Sequence, residues 1–330
     1  MRGSSAVVRT AFAILFLTFF AGMAAQAQEA RAIGLKGHVQ TVHTEEFTTE
    51  GGARGESRGS TLDVYDQAGY ELEFFRYKPD GSLWAHTVYS RNGWQILKIQ
   101  TLGTAPFQSS STQNVFDAEG HVVETDTYDE NGVLVSKSKN DLVQKQGNTT
   151  VYQRTETSAN GSVSTTEVSD TTDLQTGVTH QTETRDGKLD TDWVIQRNAD
   201  GTKKDKIVYA DGSYNERERK SDGTTVEDRY SARTKSHTFQ KSDTQGHLIE
   251  VTQQTDSYYI RCTYSFDKEG RSTGQINYDA GGNIIDKSTA EYRDDSHGNW
   301  VEKKSIVWDP KAEPMQPKII ITTLRTIDYY

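Results

Sequence analysis

Hydrophobic and polar positions alternate with period two along most of this chain. Tyr70, Leu72 and Phe74 interleave with Glu71 and Glu73, and the run His121 to Thr127 is rich in β-branched residues. That alternation and that composition predict β-strands with one shielded face. Beyond the first thirty or so residues, no segment carries a 3.6-residue period. The strands are cut by a returning turn: an aromatic residue, Asp, two variable residues and Gly. Five copies place candidate turn residues at Asp66 and Gly69, Asp117 and Gly120, Asp129 and Gly132, Asp267 and Gly270, and Asp279 and Gly282. Asp accepts hydrogen bonds from backbone just ahead of it, and Gly supplies the positive φ that ends the turn.

Spacing turns the motif into an architecture. Gly69, Gly81 and Gly93 lie twelve apart, as do Gly120 and Gly132, and Gly270 and Gly282. A turn of about four residues leaves strands of about eight, near the usual length. Because twelve is even, each repeat is expected to keep the same faces pointing the same way. Val301 to Trp308 and Lys318 to Tyr329 form a last strand pair across a loop holding Pro310, Pro314 and Pro317. The expected fold is all-β: repeated antiparallel hairpins in a continuous, partly single-layer, twisted or curled sheet. Its two edge strands would be open to pairing with another chain.

The middle differs from the ends. Between Gln153 and Asp192 only six residues are hydrophobic and eleven are Thr. Such a stretch is a thin sheet wet on both sides or is partly disordered. The chain therefore divides into a signal peptide (1–27), N-terminal hairpin repeats (28–140), polar Thr-rich repeats (141–235) and C-terminal repeats (236–330). The signal rests on Arg2 and Arg9, the apolar run Ala11 to Ala21, and the small residues of Ala25-Gln26-Ala27.

Export without stable membrane insertion is the expectation, to the periplasm or beyond, because the apolar run is shorter than the roughly 20 residues a spanning helix needs. Cleavage after Ala27 leaves a net charge of about −12, against −10 for the whole chain. That balance excludes nucleic acid, whose phosphates call for a basic surface. Cys262 is the single cysteine, so no disulfide forms within the chain, and its strand-like surroundings mark it as a packing residue.

The aromatic-Asp-x-x-Gly turn on a dozen-residue spacing resembles the YD repeat of the bacterial RHS group. Gly270-Arg271 and Gly282-Asn283 fit the Arg or Asn that follows the Gly in that family, and Gly298-Asn299-Trp300 resembles the close of its repeats. The resemblance covers residues near 60–135 and 245–330. It implies a hairpin repeat and no particular activity. Large members wind such repeats into a shell around a toxic C-terminal domain, a role that does not carry over to so short a chain.

Chemistry is sparse. The eight histidines make no HExxH or HxxxH pair, and the calcium-like run Asp126, Asp129, Asn131 meets Lys137 where a closing Glu is needed. There is no nucleophile elbow and no phosphate-cradling glycine loop. No catalytic residue, metal ligand or cofactor is assigned, and the chain is read as a non-enzyme. The expected role is structural or protein-interacting in the cell envelope. The alternative is a carbohydrate-binding module stacking sugars on Trp84, Trp94 and Trp300. The partner would then be a protein or a glycan of the envelope. An outer-membrane barrel is disfavoured because residues 153–192 cannot supply an apolar outward band.

Overall fold

The computed structural model describes residues 34–50, 53–104, 108–173, 175–185 and 187–330. The signal-peptide segment lies outside them. The described chain is all strand and turn. In order come β1 (Val39–Glu50), β2 (Ala53–Tyr65), β3 (Glu71–Tyr77), β4 (Leu83–Asn92), β5 (Gln95–Gly103) and β6 (Ser110–Phe116). Then follow β7 (Val122–Tyr128), β8 (Leu134–Gln146), β9 (Thr149–Ser158), β10 (Val163–Asp173), β11 (Val178–Arg185) and β12 (Lys188–Arg197). The next five are β13 (Lys203–Tyr209), β14 (Tyr214–Arg219), β15 (Thr225–Ser231), β16 (Ser236–Ser242) and β17 (Leu248–Gln254). The last five are β18 (Tyr259–Phe266), β19 (Ser272–Tyr278), β20 (Ile284–Asp294), β21 (Trp300–Asp309) and β22 (Gln316–Tyr329).

Each strand pairs antiparallel with its sequence neighbours, and β1 also pairs with β22 from Val39↔Tyr329 to Thr48↔Ile321. The sheet therefore closes into a 22-stranded up-and-down barrel. This corrects the expectation of an open, curled sheet with two free edges. Strand twist and coiling accumulate around a long meander until first and last strands meet, and closure satisfies both rows of edge hydrogen bonds. The Thr-rich stretch forms β9 to β12 of the same ring, with Thr–Thr cross-strand contacts such as Thr149–Thr171 and Thr172–Thr179.

The repeated turn is a three-residue hairpin loop closed by a left-handed Gly. At Asp267 the backbone N–H bonds to the Arg271 carbonyl, Gly270 N–H returns to the Asp267 carbonyl, and Oδ1 accepts from Glu269 and Arg271 N–H groups at 3.0 and 2.9 Å. Tyr70, His121, Val133 and Asn283 donate in the same way to Asp66, Asp117, Asp129 and Asp279. Gly69, Gly120, Gly132, Gly270 and Gly282 have φ between +76° and +90°.

Each such turn shifts the register by one residue at the preceding aromatic, as at Tyr65, Tyr77, Phe116, Tyr128, Phe266 and Tyr278. The inserted residue reverses the parity that a twelve-residue spacing would preserve. Tyr65 is buried on one face. Tyr77, twelve residues on, stacks on Phe75 against the other. The expectation of constant facing fails for this reason.

On β13 and β16 exposure tells the faces apart. Along β13, Lys203, Asp205 and Ile207 are half-buried while Lys204, Lys206 and Val208 are exposed. Along β16, Thr238 and Gln240 are half-buried while His237, Phe239 and Lys241 are exposed. Followed strand by strand through the pairing, the sheltered set includes Val42, Tyr65, Ala85 and Val168, all buried, and it is the inner face. The densest packing sits where β1, β2 and β22 meet. There Leu35, Val39, Val42 and Tyr65 form a core with Ile327 and Tyr329 against it.

Candidate functional site

The inner face beside this seam brings together a half-buried cation, a carboxylate and aromatic rings. Arg325 on β22 is half-buried, and its guanidinium stands 3.5 Å from the centroid of the Trp300 ring. Burial lowers its pKa, opposed by the Asp63 charge. Asp63 on β2, across β1, is held above the usual carboxylate range by burial, with Arg325 pulling the other way. Trp300 meets Tyr292 edge-on at 6.0 Å, and Arg271 lies over the Tyr292 ring at 4.6 Å. Arg271 is in turn fixed by Asp267 at 2.6 Å and by Asp294. A cation over an aromatic face in a sheltered site is worth about 2 kcal/mol, enough to offset part of the cost of burying Arg325. The cluster sets two guanidiniums against two aromatic rings beside the β1–β22 seam.

The Asp267 turn, singled out in the sequence for chain reversal, also anchors Arg271. Trp300 falls inside the cluster. Its proposed stacking partners lie elsewhere. Trp84 starts β4 at the opposite end of the barrel from Trp300, with Arg76 over its ring at 5.7 Å. Trp94 lies in the β4–β5 turn, 54% exposed, with its edge against Phe116. The three indoles form no continuous strip. Asp63 and Arg325 carried no sequence signal, because only closure brings β2 and β22 to either side of β1.

The calcium-like residues are otherwise engaged. Asp129 accepts the turn N–H groups, and Asp126 pairs with Lys137 at 3.4 Å, Lys137 also reaching Glu124 at 2.6 Å. Among the described residues no group of three or more His, Cys, Asp or Glu is placed to hold a metal ion. His121 and His247 bond to their own turn aspartates at 3.2 and 3.0 Å. Cys262 is half-buried on β18, where burial pushes its thiol pKa up.

No protein-family model matches the chain, and no curated protein matches it. Among solved structures it is similar to a porin-like protein from Bacteroides uniformis, at TM-score 0.27 and 11% identity, over 89% of this chain and 99% of that one. A likeness of that size carries no argument about function.

Proposed function

We propose that this chain is an exported, non-catalytic barrel that works in water within the cell envelope, in a structural or interaction role. The outer face carries the reading. Lys137 reaches outward to Glu124 and Asp126, and Lys204 and Lys206 both pair with Glu216, at 2.7 and 3.3 Å. An outward Lys at a bilayer midplane costs about 2–4 kcal/mol, so several in mid-strand oppose insertion. Strand length supports the same reading. β13 and β16 have 7 residues and β14 has 6, whereas a spanning strand needs about 9–11.

The recurring Asp-Gly turn keeps the kinship with YD repeats as part of the proposal. Closure bears on the mode of interaction: with β1 paired to β22, partners would meet faces, rims or the interior, not a sheet edge. The test is fractionation of a bacterium expressing the full chain. The protein is expected in the periplasmic or secreted fraction and to stay soluble through a carbonate wash. Release from membranes by detergent alone would overturn the reading.

A further inference from the structure

We propose that the inner face of β12 to β14 binds an anionic polysaccharide. Arg197, Lys203 and Arg219 are direct cross-strand partners in one row. Three cationic side chains stand side by side on adjacent strands, with Cβ atoms about 4.5–5.5 Å apart, and only the middle one, Lys203, has a carboxylate partner, Asp205; like charges so placed destabilise a sheet unless something negative lies over them. One position further along the face, Arg217 stands between Asp205 and Glu227. Those two carboxylates are already engaged, Asp205 with Lys203 at 2.9 Å and Glu227 with Arg229 at 2.5 Å. Among the described residues the side chains of Arg197, Arg217 and Arg219 make no ion pair, in a chain whose net charge is −10.

The outer face of the same strands behaves differently, since Lys204 and Lys206 each pair with an oxygen of Glu216, at 2.7 and 3.3 Å. Free guanidiniums inside and paired lysines outside mark the inner row as the binding side. Strand spacing sets the cations about 4.8 Å apart, a ladder suited to a polymer bearing regularly repeated carboxylate or sulfate groups. The row continues through the buried Thr225 to the half-buried Ser242, whose hydroxyl can meet sugar hydroxyls. Guanidinium takes such groups bidentately. This names a partner for the interaction role above, and it rests on the barrel's inner face, not on its compartment.

The test is titration calorimetry of the full barrel with a polyuronate and a sulfated polysaccharide, beside neutral dextran and a single-stranded oligonucleotide. Binding of either anionic polysaccharide is expected, weakened by salt and reduced about tenfold or more in Arg197→Gln/Arg219→Gln. The outer-face variant Lys204→Gln/Lys206→Gln is expected to bind as the parent does. Circular dichroism checks that both variants fold. No binding at low salt, equal binding of dextran, tighter binding of the oligonucleotide, or equal loss in the two variants would overturn the proposal. A protein that fractionates with membranes but binds in this way would overturn the envelope reading alone.

Discussion

Asn299 and the backbone of Lys36 bond to one another in both directions: Lys36 N–H donates to Asn299 Oδ1 at 2.7 Å, and Asn299 Nδ2 donates to the Lys36 carbonyl at 2.8 Å. The amide thus acts as one more strand residue and fastens the segment before β1 to the β20–β21 turn. Nδ2 also donates to the Tyr329 hydroxyl, which donates to Asp295 at 2.6 Å. Asn299 is only 3% exposed, so these bonds are sheltered from water.

Asn299→Asp keeps the acceptor but loses both donors and sets a carboxylate against the Lys36 carbonyl. It is expected to destabilise the barrel by about 1–3 kcal/mol. Tyr329→Phe, which loses one hydroxyl, should cost less, about 0.5–1.5 kcal/mol. Urea unfolding of the two variants measures both, and two neutral substitutions would remove the clasp from the account.

Gly59 and Gly132 both adopt positive φ, +107° and +76°. A Cβ at Gly59 would lie 2.7 Å from the Tyr77 carbonyl oxygen, whereas at Gly132 nothing stands within 4 Å. Gly132→Ala should carry only the cost of a left-handed Ala, about 1–2 kcal/mol. Gly59→Ala adds a backbone clash at the β2–β3 pairing and is expected to cost more. Equal losses in thermal unfolding would contradict the contact.

The turn aspartates make stability acid-sensitive. The His121 backbone N–H holds the Asp117 carboxyl below its ordinary range; the side chain of Asn283 does the same for Asp279, and that of Thr224 for Asp222, which precedes Gly223 in the β14–β15 turn. A lowered native pKa contributes stability that is present above the unfolded value of 3.8 and is lost as pH falls through the native one. Asn at all three positions retains a turn acceptor that does not titrate. The triple variant should therefore lose stability less steeply than the parent between about pH 5 and pH 2. Parallel curves from denaturant titrations at each pH would contradict this.

The turns were legible in the sequence because a turn is local: Asp267 and Gly270 enclose their own hydrogen bonds. Strand facing was not, because one inserted residue at each aromatic undoes an even spacing, and nothing in the twelve-residue step from Gly69 to Gly81 marks that insertion. Closure was hidden for a different reason. It depends on the coil accumulated over all the strands and on contacts such as Lys36 with Asn299, 263 positions apart. The cluster of Asp63, Arg325 and Trp300 exists only once that closure is made. The bulge at Gly59 follows from how β1 and β2 pair, outside any Asp-x-x-Gly copy.

Ring closure is tested most directly by a cross-link over the seam. His43 and Thr326 are direct partners on β1 and β22. Antiparallel partners have Cα atoms about 4.5–5.5 Å apart, within disulfide range. In a Cys262→Ser background, His43→Cys/Thr326→Cys is expected to oxidise to an intramolecular disulfide in the monomer. A double variant that stays reduced, or that forms only disulfide-linked dimers, would mean that β1 and β22 are free edges and that the barrel is open.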